Sequence, residues 1–346
     1  MLISRAQLLR GALAGAALPA LAAPALPRAS IQTPAFWSEP TSGAARPWSR
    51  PLPPGLSPLR FAVIGDHTGL GRPGVFDAAM TQISWIQPDF VLSVGDLIEG
   101  YTEDRAEIAR QWNAVEASIA KAGCPFVFTQ GNHDVDNAET LDAWRERRGP
   151  GYYSFVYKGA LFVILNTEDT PTPMKSAQAA AFYERVRQMQ SDPDQAERDV
   201  EAKIAASVAG QKGEYSALEV VNLSDRQLGF VRDALARHPH PRWTFVVLHK
   251  PAWKMQSASF AKVQSMLAGR PHTVFAGHTH YFTHEVFDGH DYINMGTTGG
   301  IRQRNGPGTM DHMMLVSLAP QGPLYANTRF TGLMDVAGET GQVRAY

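Results

Sequence analysis

From residue 59 onward, short apolar runs recur along the chain, and each stops at a polar residue able to bind a metal ion. The runs are FAVIGD at 61–66, FVLSVGD at 90–96, FVFTQGNHD at 126–134, FVVLH at 245–249 and TVFAGHTH at 273–280. They are short, largely non-alternating and rich in β-branched and aromatic residues, as expected of strands buried on both faces. Segments with helical spacing separate several of them, among them 75–86, 104–121 and 224–237. Ser224 or Asp225 caps the last of these, and Leu228, Val231 and Leu235 form its apolar stripe. Alternating strands and helices predict an α/β architecture. LFVIL at 161–165 reads as a further strand, with Asn166 to Asp169 following it on the substrate side. Downstream, residues 284–300 carry an Asp288-Gly289 hairpin turn and then a glycine-rich loop, and strands around 312–318 and 324–330 complete a second sheet.

Composition adds limits rather than function. The 346 residues are 44% hydrophobic with a net charge of −1, enough to bury a large core. The near-neutral balance gives no electrostatic reason to expect specific nucleic acid or an anionic membrane as partner. Cys124 is the only cysteine, which excludes an intrachain disulfide. Residues 1–29 join Arg5 and Arg10 to a small-residue apolar stretch and an Ala20-Leu21-Ala22 triplet, the grammar of an export signal. Ala6 stands where a twin-arginine signal has its second arginine. The expected layout is a signal peptide at 1–29, a Pro-rich linker at 30–58, a domain at 59–335 with a helical insertion at about 174–212, and a tail at 336–346. The expected location is periplasmic or secreted, with no transmembrane segment in the mature chain. The insertion reads as a solvated appendage or as a lid over a site.

In α/β sheets, sites form beyond the carboxyl ends of the strands. The five endings would then bring together Asp66, Asp96, Asn132, His133, Asp134, His249, His278 and His280. Carboxylate, amide oxygen and imidazole in one set suit Mn, Fe or Zn rather than a thiolate-seeking ion.

The motifs Gly65-Asp66, Gly95-Asp96, Gly131-Asn132-His133-Asp134, His249 and Gly277-His278-Thr279-His280 stand in the order of the calcineurin-like metallophosphoesterases, which the chain resembles over about residues 60–300. The resemblance implies a four-layer α/β/β/α sandwich of two mixed sheets flanked by helices. It also implies a centre of two transition-metal ions that hydrolyses phosphate esters. Asp96 would bridge the ions, Asp66 and His280 would join one, and Asn132, His249 and His278 the other. His133 would protonate the leaving oxygen or stabilise the transition state, with Glu99 or Asp134 orienting it. One departure stands out: much of the family writes its first motif Asp-x-His, whereas Thr68 occupies that third position and histidine comes one place early, at His67. Glu99, in the place where purple acid phosphatases supply a tyrosine ligand, is a candidate substitute; His67 redirected by a bulge or turn, or water filling the gap, are the alternatives.

These readings predict an exported dinuclear-metal phosphatase or phosphodiesterase acting on a phosphorylated small molecule or a lipid- or nucleotide-type ester. The alternative is a non-catalytic or mononuclear metal-binding protein on the same fold. A Rossmann-type enzyme lacks its G-x-G-x-x-G after the first strand. Arg302 and Arg304 follow the glycine-rich loop, either as phosphate clamps or as solvent-facing charges.

Overall fold

The computed structural model describes residues 36–39, 45–55, 58–169, 171–208 and 220–333. The export-signal segment 1–29 and the tail 336–346 lie outside the described residues. In chain order the first half contains β1 (Phe36–Ser38), β2 (Arg60–Ile64), α1 (Val75–Ile86), β3 (Phe90–Ser93), α2 (Arg105–Lys121), β4 (Phe126–Val127), α3 (Ala138–Arg148), β5 (Tyr153–Tyr157) and β6 (Ala160–Ile164). The second half contains α4 (Ser176–Ser191), α5 (Pro193–Val208), α6 (Asp225–Arg237), β7 (Trp243–Val247), α7 (Ala258–Leu267), β8 (His272–Ala276), β9 (Thr283–Phe287), β10 (His290–Asn294), β11 (His312–Ala319) and β12 (Gly322–Arg329).

Two mixed sheets form. One runs β1-β5-β6-β7-β8-β10-β9 and the other β12-β11-β2-β3-β4. The stretches β2-β3-β4 and β6-β7-β8-β10 are parallel. Successive strand side chains point to opposite faces, so each non-alternating run feeds two cores. Phe61, Val63, Phe90 and Leu92 face the other sheet, where they meet Phe162, Ile164, Phe245 and Phe275. Their neighbours Ile64 and Val91 point outward against α1, α2 and α3. On the far side Leu161, Val163, Val246 and Val274 pack against α6 and α7. The result is the four-layer α/β/β/α sandwich, and the apolar runs are continuous because both faces of each strand are covered.

Local chemistry sets the helix starts. The Asp104 carboxylate accepts from the Ala106 and Glu107 amides to open α2, Asn137 and Thr140 form a capping box on α3, and Ser224 rather than Asp225 caps α6. The hairpin turn lies at Asp288 and Gly289, both left-handed at φ 51° and 78°. Part of the Pro-rich 30–58 segment wraps onto the sandwich: β1 pairs antiparallel with β5, and Trp48 bridges to Val127. The described part of the insertion forms α4 and α5. Rather than extending into solvent, α4 buries Phe182 and Met189 in a cluster with Leu70 and Ile301.

Candidate metal centre

All five polar endings meet at one edge of the sandwich. Asp66 and Asp96 follow the parallel strands β2 and β3, Asn132 and His133 follow β4, His249 follows β7, and His278 and His280 follow β8. Among the described residues, two triads place their donor atoms within 4.8 Å of one another: Asp96, His249 and His278, and Asp66, Asp96 and His280. Asp96 belongs to both. His249 Nε2 lies 3.1 Å from Asp96 Oδ2 and 3.0 Å from Asn132 Oδ1, and His278 Nδ1 lies 3.2 Å from His249 Nε2. His280 Nε2 lies 3.4 Å from Asp66 Oδ2. Backbone carbonyls aim two of the rings: the Nδ1 of His249 donates to Val94 O and that of His280 to Ile301 O, leaving each Nε2 turned inward.

The backbone is bent to make this possible. Asp96, His278 and His280 are all left-handed, with φ of 55°, 70° and 50°. Such non-glycine conformations cost about 1–3 kcal/mol each and persist where surrounding bonds dictate them. Asp134 supplies those bonds for Asp96: its carboxylate accepts from the amides of Asp96, Leu97, Ile98 and Gly131 at 2.9 to 3.2 Å. Gly131 must lack a side chain, since a Cβ there would collide with the Asp96 carboxylate.

The buried charges are strongly coupled. Burial opposes ionisation of Asp96, yet the His249 and His133 imidazoles hold its carboxyl well below the usual range. Burial pulls His249 down, but the Asp96 carboxylate more than reverses this and lifts the imidazole to about 10. His280 is likewise raised, its burial outweighed by Asp66. Asp134 is pushed up to about 7 by burial and by the charge of Asp96.

His133 stands beside the shared carboxylate. Its amide donates to Asp96 Oδ1 at 2.9 Å, its Nδ1 lies 2.9 Å from the Glu99 carbonyl oxygen, and its Nε2 lies 4.0 Å from Asp96 Oδ2. The acceptor that orients the ring is thus the backbone of Glu99, with the Asp134 carboxylate committed to the turn. The Glu99 carboxylate belongs to neither triad. It accepts from the amides of Gly69 and Leu70 through Oε2 and of Gly71 through Oε1, at 3.1, 3.2 and 2.6 Å. These bonds tie the first-motif loop to the second.

His67 turns away from the centre and stacks on Phe76 of α1 with ring centroids 4.2 Å apart; burial lowers it to about 4. Thr68 is buried, and its hydroxyl has no hydrogen-bond partner among the described residues. Next to it, left-handed Gly69 packs so closely against the site that a Cβ there would come within 2.9 Å of His280 Cε1 and 3.5 Å of His133 Nε2. Converging oxygen and imidazole donors with inward-turned Nε2 atoms suit a divalent metal ion.

The sequence profile described as calcineurin-like phosphoesterase matches residues 59–282, well over half of the chain. The chain belongs to the calcineurin-like phosphoesterase family. Among curated relatives, the serine/threonine-protein phosphatase CPPED1 of Homo sapiens is 34% identical over 98 residues, 26% of this chain and 30% of that protein. Its Rattus norvegicus counterpart is 34% identical over 87 residues, covering 24% and 28%. The matched segment thus spans less than a third of these relatives. Solved structures share the fold at low identity. A dimetal phosphatase from Danio rerio matches with a TM-score of 0.52 and 15% identity over 78% of this chain and 99% of its own. Purple acid phosphatase PPD1 from Lupinus luteus matches with a TM-score of 0.50 and 14% identity, over 79% and 52%.

An open cavity of about 420 Å³ lies over the two triads. Glu168, from the segment expected on the substrate side, lines it with Lys250, and the two pair at 3.0 Å. Arg302 and Arg304 are engaged elsewhere, with Glu201 at 3.3 Å and over the Tyr281 ring at 3.8 Å. Two aromatic residues were not marked by any motif: Tyr101, whose hydroxyl accepts from Asn132 Nδ2 at 2.7 Å, and Phe182 of α4, whose ring lies 5.6 Å from that of His133. The only sequence cue to Tyr101 is its place after Glu99-Gly100, and Phe182 lies in a segment that reads as polar helix.

Proposed function

We propose that this phosphoesterase hydrolyses phosphate mono- or diesters at a dinuclear centre bridged by Asp96. One ion would be held by Asp66, Asp96 and His280, the other by Asp96, Asn132, His249 and His278. When bound, such ions supply a nucleophile from water at neutral pH and offset charge on phosphoryl oxygens. The observation that carries this reading is the sharing of Asp96 by two donor triads with His133 alongside.

The protein's own part is orientation and proton delivery. The Glu99 carbonyl can only accept, so His133 Nδ1 carries a hydrogen and Nε2 faces the centre. Protonated there, the imidazole gives that proton to the departing alkoxide. Lys250 and Glu168 offer a donor and an acceptor to a polar leaving group. We further propose export from the cytoplasm, supported by the 1–29 pattern; the N-terminal sequence of the mature protein tests it, and an intact Met1 in the exported fraction would count against cleavage.

The functional test is turnover of p-nitrophenyl phosphate and bis(p-nitrophenyl) phosphate with Mn, Fe or Zn, together with elemental analysis. Chelator-sensitive hydrolysis with two ions per chain is expected. One ion per chain without turnover would favour a mononuclear binding protein, the outcome that Thr68 in place of a histidine would explain.

A further inference from the structure

The Tyr101 hydroxyl has half of its hydrogen bonding satisfied. Its oxygen accepts from Asn132 Nδ2 at 2.7 Å, and among the described residues its O–H donates to nothing. A part-buried tyrosine ordinarily finds an acceptor for its hydroxyl. Here the residue lines the cavity together with Asp96, His133, His278 and His280.

Its placement is over-determined. Gly100 and Tyr101 are both left-handed, at φ 58° and 51°. The Tyr101 amide donates to Asp136 Oδ1 at 2.9 Å, and the Gly100 carbonyl accepts from the Tyr183 hydroxyl of α4 at 2.5 Å. The ring stands edge-on to His133 and to Phe182, with centroids 4.6 and 5.3 Å away. A left-handed tyrosine held by an amide bond, an edge-on pair of rings and a helix from the insertion is pre-set, and what it presents to the cavity is one hydrogen-bond donor.

We infer that Tyr101 is a catalytic residue whose phenolic O–H donates to a non-bridging phosphoryl oxygen of the bound ester, while the Asn132 amide fixes the phenol oxygen. The inference rests on the phosphoester reading. His133 stands on the leaving-group side, and Tyr101, anchored on Asn132, takes an equatorial oxygen. Charge on those oxygens is what such a donor stabilises, and the phenol keeps its proton throughout.

Tyr101→Phe keeps the ring and removes the donor. Relative to wild type, kcat/KM on p-nitrophenyl phosphate should fall about 10²-fold, in the range for loss of one oxyanion donor. By calorimetry on the metal-loaded protein, inorganic phosphate should bind about tenfold more weakly, with metal per chain and Tm unchanged. Wild-type-like phosphate affinity in Y101F overturns the inference. So does a loss that excess metal restores, since the phenol would then only be holding Asn132. If wild type turns over no phosphoester, the functional reading falls, and the phosphate titration still decides the inference by the same criterion; absence of phosphate binding to wild type overturns it.

Discussion

Asp96 shows how much a single side chain can organise. One oxygen accepts the His133 amide, the other faces His249 at 3.1 Å, and both donor triads pass through it. Around it, similar residues have different tasks because different donors reach them first. Three backbone amides claim the Glu99 carboxylate, and four claim that of Asp134. Glu99→Gln should therefore loosen the 69–71 loop and cost about 1–3 kcal/mol, the penalty for amides left without their acceptor. Urea unfolding measures this, and elemental analysis should show both ions retained; selective loss of one ion would restore Glu99 as a ligand. His133→Asn should lower kcat by about 10²–10⁴-fold, the usual worth of a positioned acid, with metal content unchanged. If the variant loses metal in proportion to activity, His133 serves the site as structure.

At the scale of elements, the insertion and the loop after β10 decide how rigidly the ligand loops are held. Phe182 of α4 packs on both Tyr101 and His133, so Phe182→Ala should let the His133 ring drift. A displacement of about 1 Å can cost 10²-fold in rate, and kcat should fall while metal content stays constant. Retention of full kcat would reduce α4 to a cover. At the start of β11, buried His312 pins the neighbouring loop: the Gly296 amide donates to its Nε2 at 2.7 Å, and its Nδ1 hydrogen goes to Asn327 Oδ1. Burial lowers this imidazole from 6.5 to about 4. Folding thus favours its neutral form. The contribution is complete above the unfolded value of 6.5 and is lost as pH falls toward 4. A shift of this size corresponds to about 3 kcal/mol at most. Denaturant midpoints from pH 7 to pH 4 should show that slope in wild type and a shallower one in His312→Gln.

For the whole molecule, the clustered charges make metal and folding one problem. The Asp96 carboxylate beside it outweighs burial and raises the His249 imidazole to about 10, which favours its protonated form at neutral pH. A metal must displace that proton, so binding should release protons and weaken as pH falls. Calorimetry in buffers of different ionisation enthalpy would measure the release; identical heats in all buffers would contradict it. Binding only to the folded state should also raise stability, by about 2.7 kcal/mol at a hundredfold excess over Kd. Chelation should accordingly lower Tm reversibly.

Which segments become strands, and which polar residues end them at one sheet edge, could be read from the chain, because both depend on local chemistry. An apolar run that stops at Gly-Asp or Gly-His needs only burial and a turn to place its last side chain at a sheet edge. The α/β class, the hairpin at Asp288-Gly289 and the strands of 312–318 and 324–330 were legible for the same reason. Tertiary structure alone decided where the remaining polar groups went. His67 and Thr68 adjoin Asp66, yet one stacks on α1 and the other buries a hydroxyl that has no hydrogen-bond partner among the described residues. Tyr101 and Phe182 carry no motif and meet His133 from segments far apart in the chain. Those outcomes depend on left-handed turns at Asp96, Gly100, Tyr101 and His280, and on amides that reach Glu99 and Asp134 only after the loops have packed. Residue type determines what a group can bind; the path of the backbone determines which partner arrives first.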